Sequence, residues 1–101
     1  MITLVLADEH PVTRAGIRSI LSVASDIQIV GEAHDGCEVE KLVEQLQPRI
    51  LLLDLKMAGP GLFEIEKLVR VNCPETGILI LTADDHDAYL SEMIDAGVSG
   101  Y

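Results

Sequence analysis

Four short runs of aliphatic residues recur along the chain, and an amphipathic stripe of helical period separates each run from the next. The runs are Ile2-Thr3-Leu4-Val5-Leu6-Ala7, Ile27-Gln28-Ile29-Val30-Gly31-Glu32-Ala33, Ile50-Leu51-Leu52-Leu53 and Ile78-Leu79-Ile80-Leu81. Strand-helix alternation with short connections requires parallel pairing through crossovers, because consecutive parallel strands cannot be joined by a tight turn. The Ile50 run is uninterrupted, which reads as a central strand covered on both faces. The Ile27 run alternates with polar residues and reads as an edge.

The edge strand therefore belongs outside the first, which favours an open, doubly wound parallel sheet of flavodoxin-like order 2-1-3-4-5 over a closed barrel. The first helix is expected to start at Pro11, where a missing N–H costs nothing. It carries Ile17, Ile20, Leu21 and Ala24 at helical spacing, leaves Arg14 and Arg18 able to face out, and breaks at Ser25-Asp26. The second helix carries Val39, Leu42, Val43 and Leu46 and stops before Pro48. The third carries Ile65, Leu68 and Val69 and ends near Asn72-Cys73-Pro74. Leu90, Met93 and Ile94 mark a fourth, with Gly97 as its C-terminal cap. Val98-Ser99-Gly100-Tyr101 reads as the opening of a fifth strand.

At 101 residues the chain is one domain, and 49% hydrophobic residues suit a packed globule. Seven Lys plus Arg against 17 Asp plus Glu leave a net charge of −10. That field repels nucleic-acid phosphates, so this chain by itself is not expected to bind DNA. Cys37 and Cys73 lack CxxC spacing and read as reduced thiols. No apolar run approaches the ~20 residues of a membrane span, and the N-terminus lacks the basic start of a signal peptide. The expectation is a cytoplasmic protein without a membrane partner.

The Ile50 run ends on Asp54, after which the chain turns through Ala58-Gly59-Pro60-Gly61. The first run leads into Asp8-Glu9-His10, and the fourth closes on Thr82. With strands one, three and four adjacent, these groups surround one crevice at the carboxyl edge of the sheet, where open α/β sheets bind ligands. Three gathered acids repel one another, and a hard divalent cation such as Mg²⁺ resolves this while leaving room for a phosphoryl oxygen. A carboxylate beside such an ion is a competent nucleophile toward phosphorus. Taken singly, Asp54 could be a loop cap, and Asp8 and Glu9 acids that complement a helix dipole. His10 and His86 border the crevice and could be taken for a transition-metal pair, but surface histidines are the preferred reading. Gly59-Pro60-Gly61-Leu62-Phe63-Glu64 lacks the third glycine of a dinucleotide fingerprint, and no P-loop occurs.

Three segments, LVLADEHPVTRAGIR (residues 4–18), ILLLDLKM (residues 50–57) and ILTADDHDAYLSEMIDAGVSGY (residues 80–101), together resemble a response-regulator receiver domain of two-component signalling. The domain is CheY-like and of the NarL/FixJ-type subclass. The resemblance implies that Asp54 is the phosphoacceptor and that Asp8 and Glu9 hold Mg²⁺, with Glu9 at the position that usually contacts the ion. It implies that the Lys56 backbone carbonyl is a further ligand, Thr82 the switch hydroxyl and Tyr101 the switch aromatic. It also implies a sensor histidine kinase as phosphoryl donor, homodimerisation, and DNA binding through a C-terminal helix-turn-helix domain that this chain lacks. Such a domain is regulatory, not an enzyme in its own right.

The chain departs from the family pattern in three places. Glu9 stands where Asp is commoner; in the following loop Ala58 replaces a usual Pro and Leu62 a frequent Gly; and the lysine that pairs with the phosphoryl group would lie beyond Tyr101. Residues 1–101 are therefore expected to be a receiver domain incomplete at its C-terminus, with the fifth strand truncated and the last helix missing. Two rival readings follow from the residues. One is a pseudo-receiver that acts only as a protein-interaction module; the other is a phosphatase using Asp54, which would need a carboxylate where Lys56 stands.

Overall fold

In a computed structural model of the chain, the described residues are 1–54 and 57–81. Lys56, Thr82, His86, Tyr101, the fourth helix and the fifth strand lie outside them. The elements are β1 (Ile2–Ala7), α1 (Pro11–Leu21), β2 (Ile27–Ala33), α2 (Gly36–Leu46), β3 (Ile50–Asp54), α3 (Leu62–Asn72) and β4 (Gly77–Leu81). Among the described residues all three strand pairings are parallel, in the order β2-β1-β3-β4. The alternating Ile27 segment is the edge, as its polar residues require.

Alternate residues of a strand serve opposite faces. On one face Val5, Ala7, Leu51, Leu53, Ile78 and Ile80 join Val39 and Val43 of α2 and Ile65 and Val69 of α3 in one buried cluster. On the other, Leu4 and Leu6 are buried while Leu52 and Leu79 are only half-buried. The expectation that the Ile50 run is covered on both faces is therefore met fully only on the α2/α3 side.

Helix α1 differs most from its expected packing. It ends at Leu21, none of its residues is fully buried, and Ile20 is 71% exposed. Ile17 and Leu21 are four residues apart and half-buried, whereas Ile20 falls on a row rotated away from them. Ala24 lies beyond the helix, in a turn where its N–H bonds the Leu21 carbonyl.

Helix α2 is anchored at both ends. The Asp35 carboxylate caps it by accepting the Glu38 N–H at 2.9 Å, while the Glu38 side chain reaches back to the His34 N–H at 2.9 Å. This reciprocal pair resembles a capping box displaced by one residue. At the far end Gln47 turns through the left-handed region (φ 45°) into Pro48. The Pro48 carbonyl accepts the buried Thr76 hydroxyl, which contacts the Cys73 thiol at 2.7 Å. Removing the cap should be measurable: Asp35→Ala is expected to lower stability by about 1 kcal/mol in urea unfolding.

Candidate functional site

Ala7 pairs with Leu53 across β1 and β3, so Asp8 and Asp54, the next residue of each segment, emerge at the same level of the carboxyl edge. Several contacts fix Asp8. Its N–H donates to the Ala33 carbonyl at 3.0 Å, and its carbonyl accepts Arg14 Nη1 at 2.6 Å. Its carboxylate is buried, and Oδ1 accepts the His10 N–H at 2.8 Å. This bond from the acid to the residue two positions on is an Asx-type turn, and it turns the chain into α1 at Pro11.

Arg14, which the helical spacing leaves free to face out, is largely covered. Its Nε lies 3.4 Å from Glu32 Oε1, and Arg18 Nη1 lies 2.6 Å from Glu32 Oε2. The half-buried Glu32 carboxylate favours a cationic partner and the Asp8 carbonyl accepts a hydrogen bond from the same guanidinium, which together hold Arg14 at the sheet edge.

Asp8, His10 and Asp54 each present one donor atom, and the three atoms lie within 4.8 Å of one another. Around an octahedral ion with bonds of about 2.1 Å, adjacent donors are roughly 3.0 Å apart and opposite donors roughly 4.2 Å. The cluster needs only a small contraction to meet those spacings, so its oxygen donors fit the divalent cation expected from the sequence. Glu9 is not one of the three. Its side chain is 40% exposed, with Oε1 3.8 Å from His10 Nε2. His10, which reads from the sequence as a surface histidine, is brought into the cluster. The sequence signal for it is the Asp-x-His-Pro order, which folds the third residue back onto the first.

The loop between β3 and α3 closes the opposite wall. The Gly36 N–H donates to the Ala58 carbonyl at 2.8 Å, and Gly59 has φ 98°. A Cβ at Gly36 would meet Pro60 Cδ at 2.8 Å and Pro60 O at 2.9 Å. Beside Asp54, Met57, Pro60 and Leu62 lies a depression of about 30 Å³, room for about one water-sized group. A cleft of about 610 Å³ lies at the amino edge of the strands, near Thr3, Arg49 and Glu75, but it gathers none of these donors. Gly36→Val is expected to displace the loop, at a cost of roughly 1–3 kcal/mol, and to weaken divalent-ion binding. Chemical unfolding together with ion titration checks both effects.

A doubly wound parallel sheet with carboxylates gathered at its carboxyl edge defines a class of α/β domains that bind ligands beyond the ends of their strands. Within that class the response regulator receiver domain model matches residues 4–101, and the chain belongs to this family. It is 40% identical over 100 residues to the oxygen regulatory protein NreC of Staphylococcus carnosus, covering 97% of this chain and 46% of that protein. The chain thus spans about half the length of the curated relatives it matches. It superposes on the receiver domain of the putative response regulator NarL from Mycobacterium tuberculosis with a TM-score of 0.90 at 30% identity, covering 98% and 80% of the two chains. It also matches RcsB from Salmonella enterica serovar Typhimurium, in a structure bound to a promoter with a beryllofluoride phosphomimetic. That match has a TM-score of 0.86 at 28% identity and covers 99% and 84% of the chains. Among the described residues, no helix is long and apolar enough to cross a membrane.

Proposed function

We propose that the chain is the phosphoacceptor switch of a two-component transcriptional regulator, with Asp54 accepting a phosphoryl group from a sensor histidine kinase in a Mg²⁺-dependent reaction. The observation that carries this reading is the meeting of Asp8 and Asp54 from neighbouring strands within 4.8 Å of each other. An Asp54 oxygen attacks phosphorus, the P–N bond of the donor phosphohistidine breaks, and the leaving imidazole nitrogen takes a proton. Bound Mg²⁺ would supply the positive charge that two carboxylates and a transferring phosphoryl group require. Asp8 would hold that ion, with Glu9 and the Lys56 carbonyl beside it. Burial of Asp8 fixes its carboxylate in advance, so positioning rather than further side-chain chemistry does most of the catalysis.

Thr82 and Tyr101 are the proposed relay from the new phosphoryl group to the surface that dimerises, and the output is DNA binding through a C-terminal helix-turn-helix domain. The promoter-bound RcsB structure, obtained with a phosphomimetic, supports this reading. Acetyl phosphate with Mg²⁺ followed by intact-mass analysis tests it. The expected result is one added phosphoryl group per chain; no adduct at any Mg²⁺ concentration ends the proposal.

A further inference from the structure

We infer that Arg14 is a positioning residue for the phosphoacceptor site, its guanidinium holding the Asp8–Glu9 peptide against the edge strand. The inference rests on the proposed phosphoacceptor reading and adds to it a residue that, as a cation, cannot itself hold the ion. Arg14 Nη1 donates to the Asp8 carbonyl at 2.6 Å, while Nε lies 3.4 Å from Glu32 Oε1. The Asp8 N–H donates to the carbonyl of Ala33, the residue after Glu32, at 3.0 Å. Both polar groups of the Asp8 backbone are thus tied to consecutive residues at the end of β2, one directly and one through Arg14. The path of the chain from Asp8 to Glu9 is held with them.

The planar fork of Arg14 reaches two acceptors with two different nitrogens, which a lysine ammonium on its flexible stem does not reproduce. Arg18 Nη1, 2.6 Å from Glu32 Oε2, takes the other carboxylate oxygen, so Glu32 is held from both sides. No residue of α1 is fully buried; apolar packing holds the helix weakly, and these ion pairs add a polar fastening to β2. Charge and position predict opposite signs for the loss of Arg14. Removing a cation near two carboxylates tightens divalent-ion binding, whereas loosening Asp8 weakens it.

The test measures Mg²⁺ binding by calorimetry in wild type, Arg14→Met, Arg14→Lys and Arg18→Met, with amide hydrogen exchange and thermal melting of each. Met keeps an apolar stem, and Lys keeps the charge without the fork. Arg14→Met is expected to raise the Mg²⁺ Kd about tenfold and Arg14→Lys about threefold. Arg18→Met removes the same charge from the same helix without touching Asp8, and should stay within about twofold of wild type. The His10 N–H, bonded to Asp8 Oδ1, should exchange faster in both Arg14 variants while that of Leu51 in the central strand does not. A Kd at or below the wild-type value in Arg14→Met, a wild-type Kd in Arg14→Lys, unchanged His10 exchange, or an equal loss in Arg18→Met overturns the inference. If Arg14→Met does not melt cooperatively, Arg14→Lys decides alone. Wild-type adduct formation with acetyl phosphate and Mg²⁺ is scored in parallel. If it occurs and the Arg14 variants bind Mg²⁺ as wild type does, only the role of Arg14 fails. If it does not occur, the phosphoacceptor reading fails whatever the variants show, and absence of Mg²⁺ binding in wild type ends both.

Discussion

Asp54→Ala is expected to accept no phosphoryl group while retaining the fold. The residue is half-buried at the last position of β3, so its truncation leaves the buried cluster of Leu51 and Leu53 intact. Asp8 and Asp54 carry like charges within 4.8 Å, and removing one relieves repulsion in the ion-free protein. The variant should therefore melt at or above the wild-type temperature without divalent ions. With the ion present the order reverses. A ligand at 100 times its Kd stabilises the folded state by about 2.7 kcal/mol, which wild type gains and the variant largely forgoes. Intact mass and paired melts with and without Mg²⁺ check both halves. An adduct on Asp54→Ala, or an equal ion-induced shift in both proteins, contradicts the assignment.

Sequence patterns resolved whichever features depend on local chemistry. The uninterrupted Ile50 run and the polar alternation of Ile27–Ala33 placed β3 inside and β2 at the edge, and this brought Asp8 and Asp54 to one crevice. Periodicity was less informative for α1, because Ile17, Ile20, Leu21 and Ala24 span more than one helical row. Contacts made outside the helix, with Glu32 of β2 and the Asp8 carbonyl, are what draw Arg14 inward. Neighbouring acids also diverge: Asp8 is buried, whereas Glu9 is exposed beside His10. Composition treats them as a pair, but the backbone separates them. The contact of Gly36 with Pro60 joins segments 24 positions apart and leaves no mark in either local pattern.

Leu51→Ala is expected to have the largest effect on stability. Leu51 has no exposed surface, lies in register with Val5 on one side and Ile78 on the other, and belongs to the cluster covered by α2 and α3. Hydrogen-bonded strands flank it and helices cover it, so the surroundings cannot collapse into the space vacated. The cost should fall in the upper part of the 2–5 kcal/mol range for buried Leu to Ala changes. Natural domains have only about 5–15 kcal/mol in total, so the change would bring this chain close to unfolding. Leu52, one residue on, faces the half-buried side and should cost clearly less; Ile20→Ala on the exposed row of α1 should stay within about 0.5 kcal/mol. Urea midpoints for the three variants, at unchanged m-value, rank them. If Leu52→Ala cost as much as Leu51→Ala, the two sheet faces would be equally closed and the asymmetry described for this fold would be wrong. Because β3 also carries Asp54, ion binding in Leu51→Ala should disappear along the same urea coordinate as the fold.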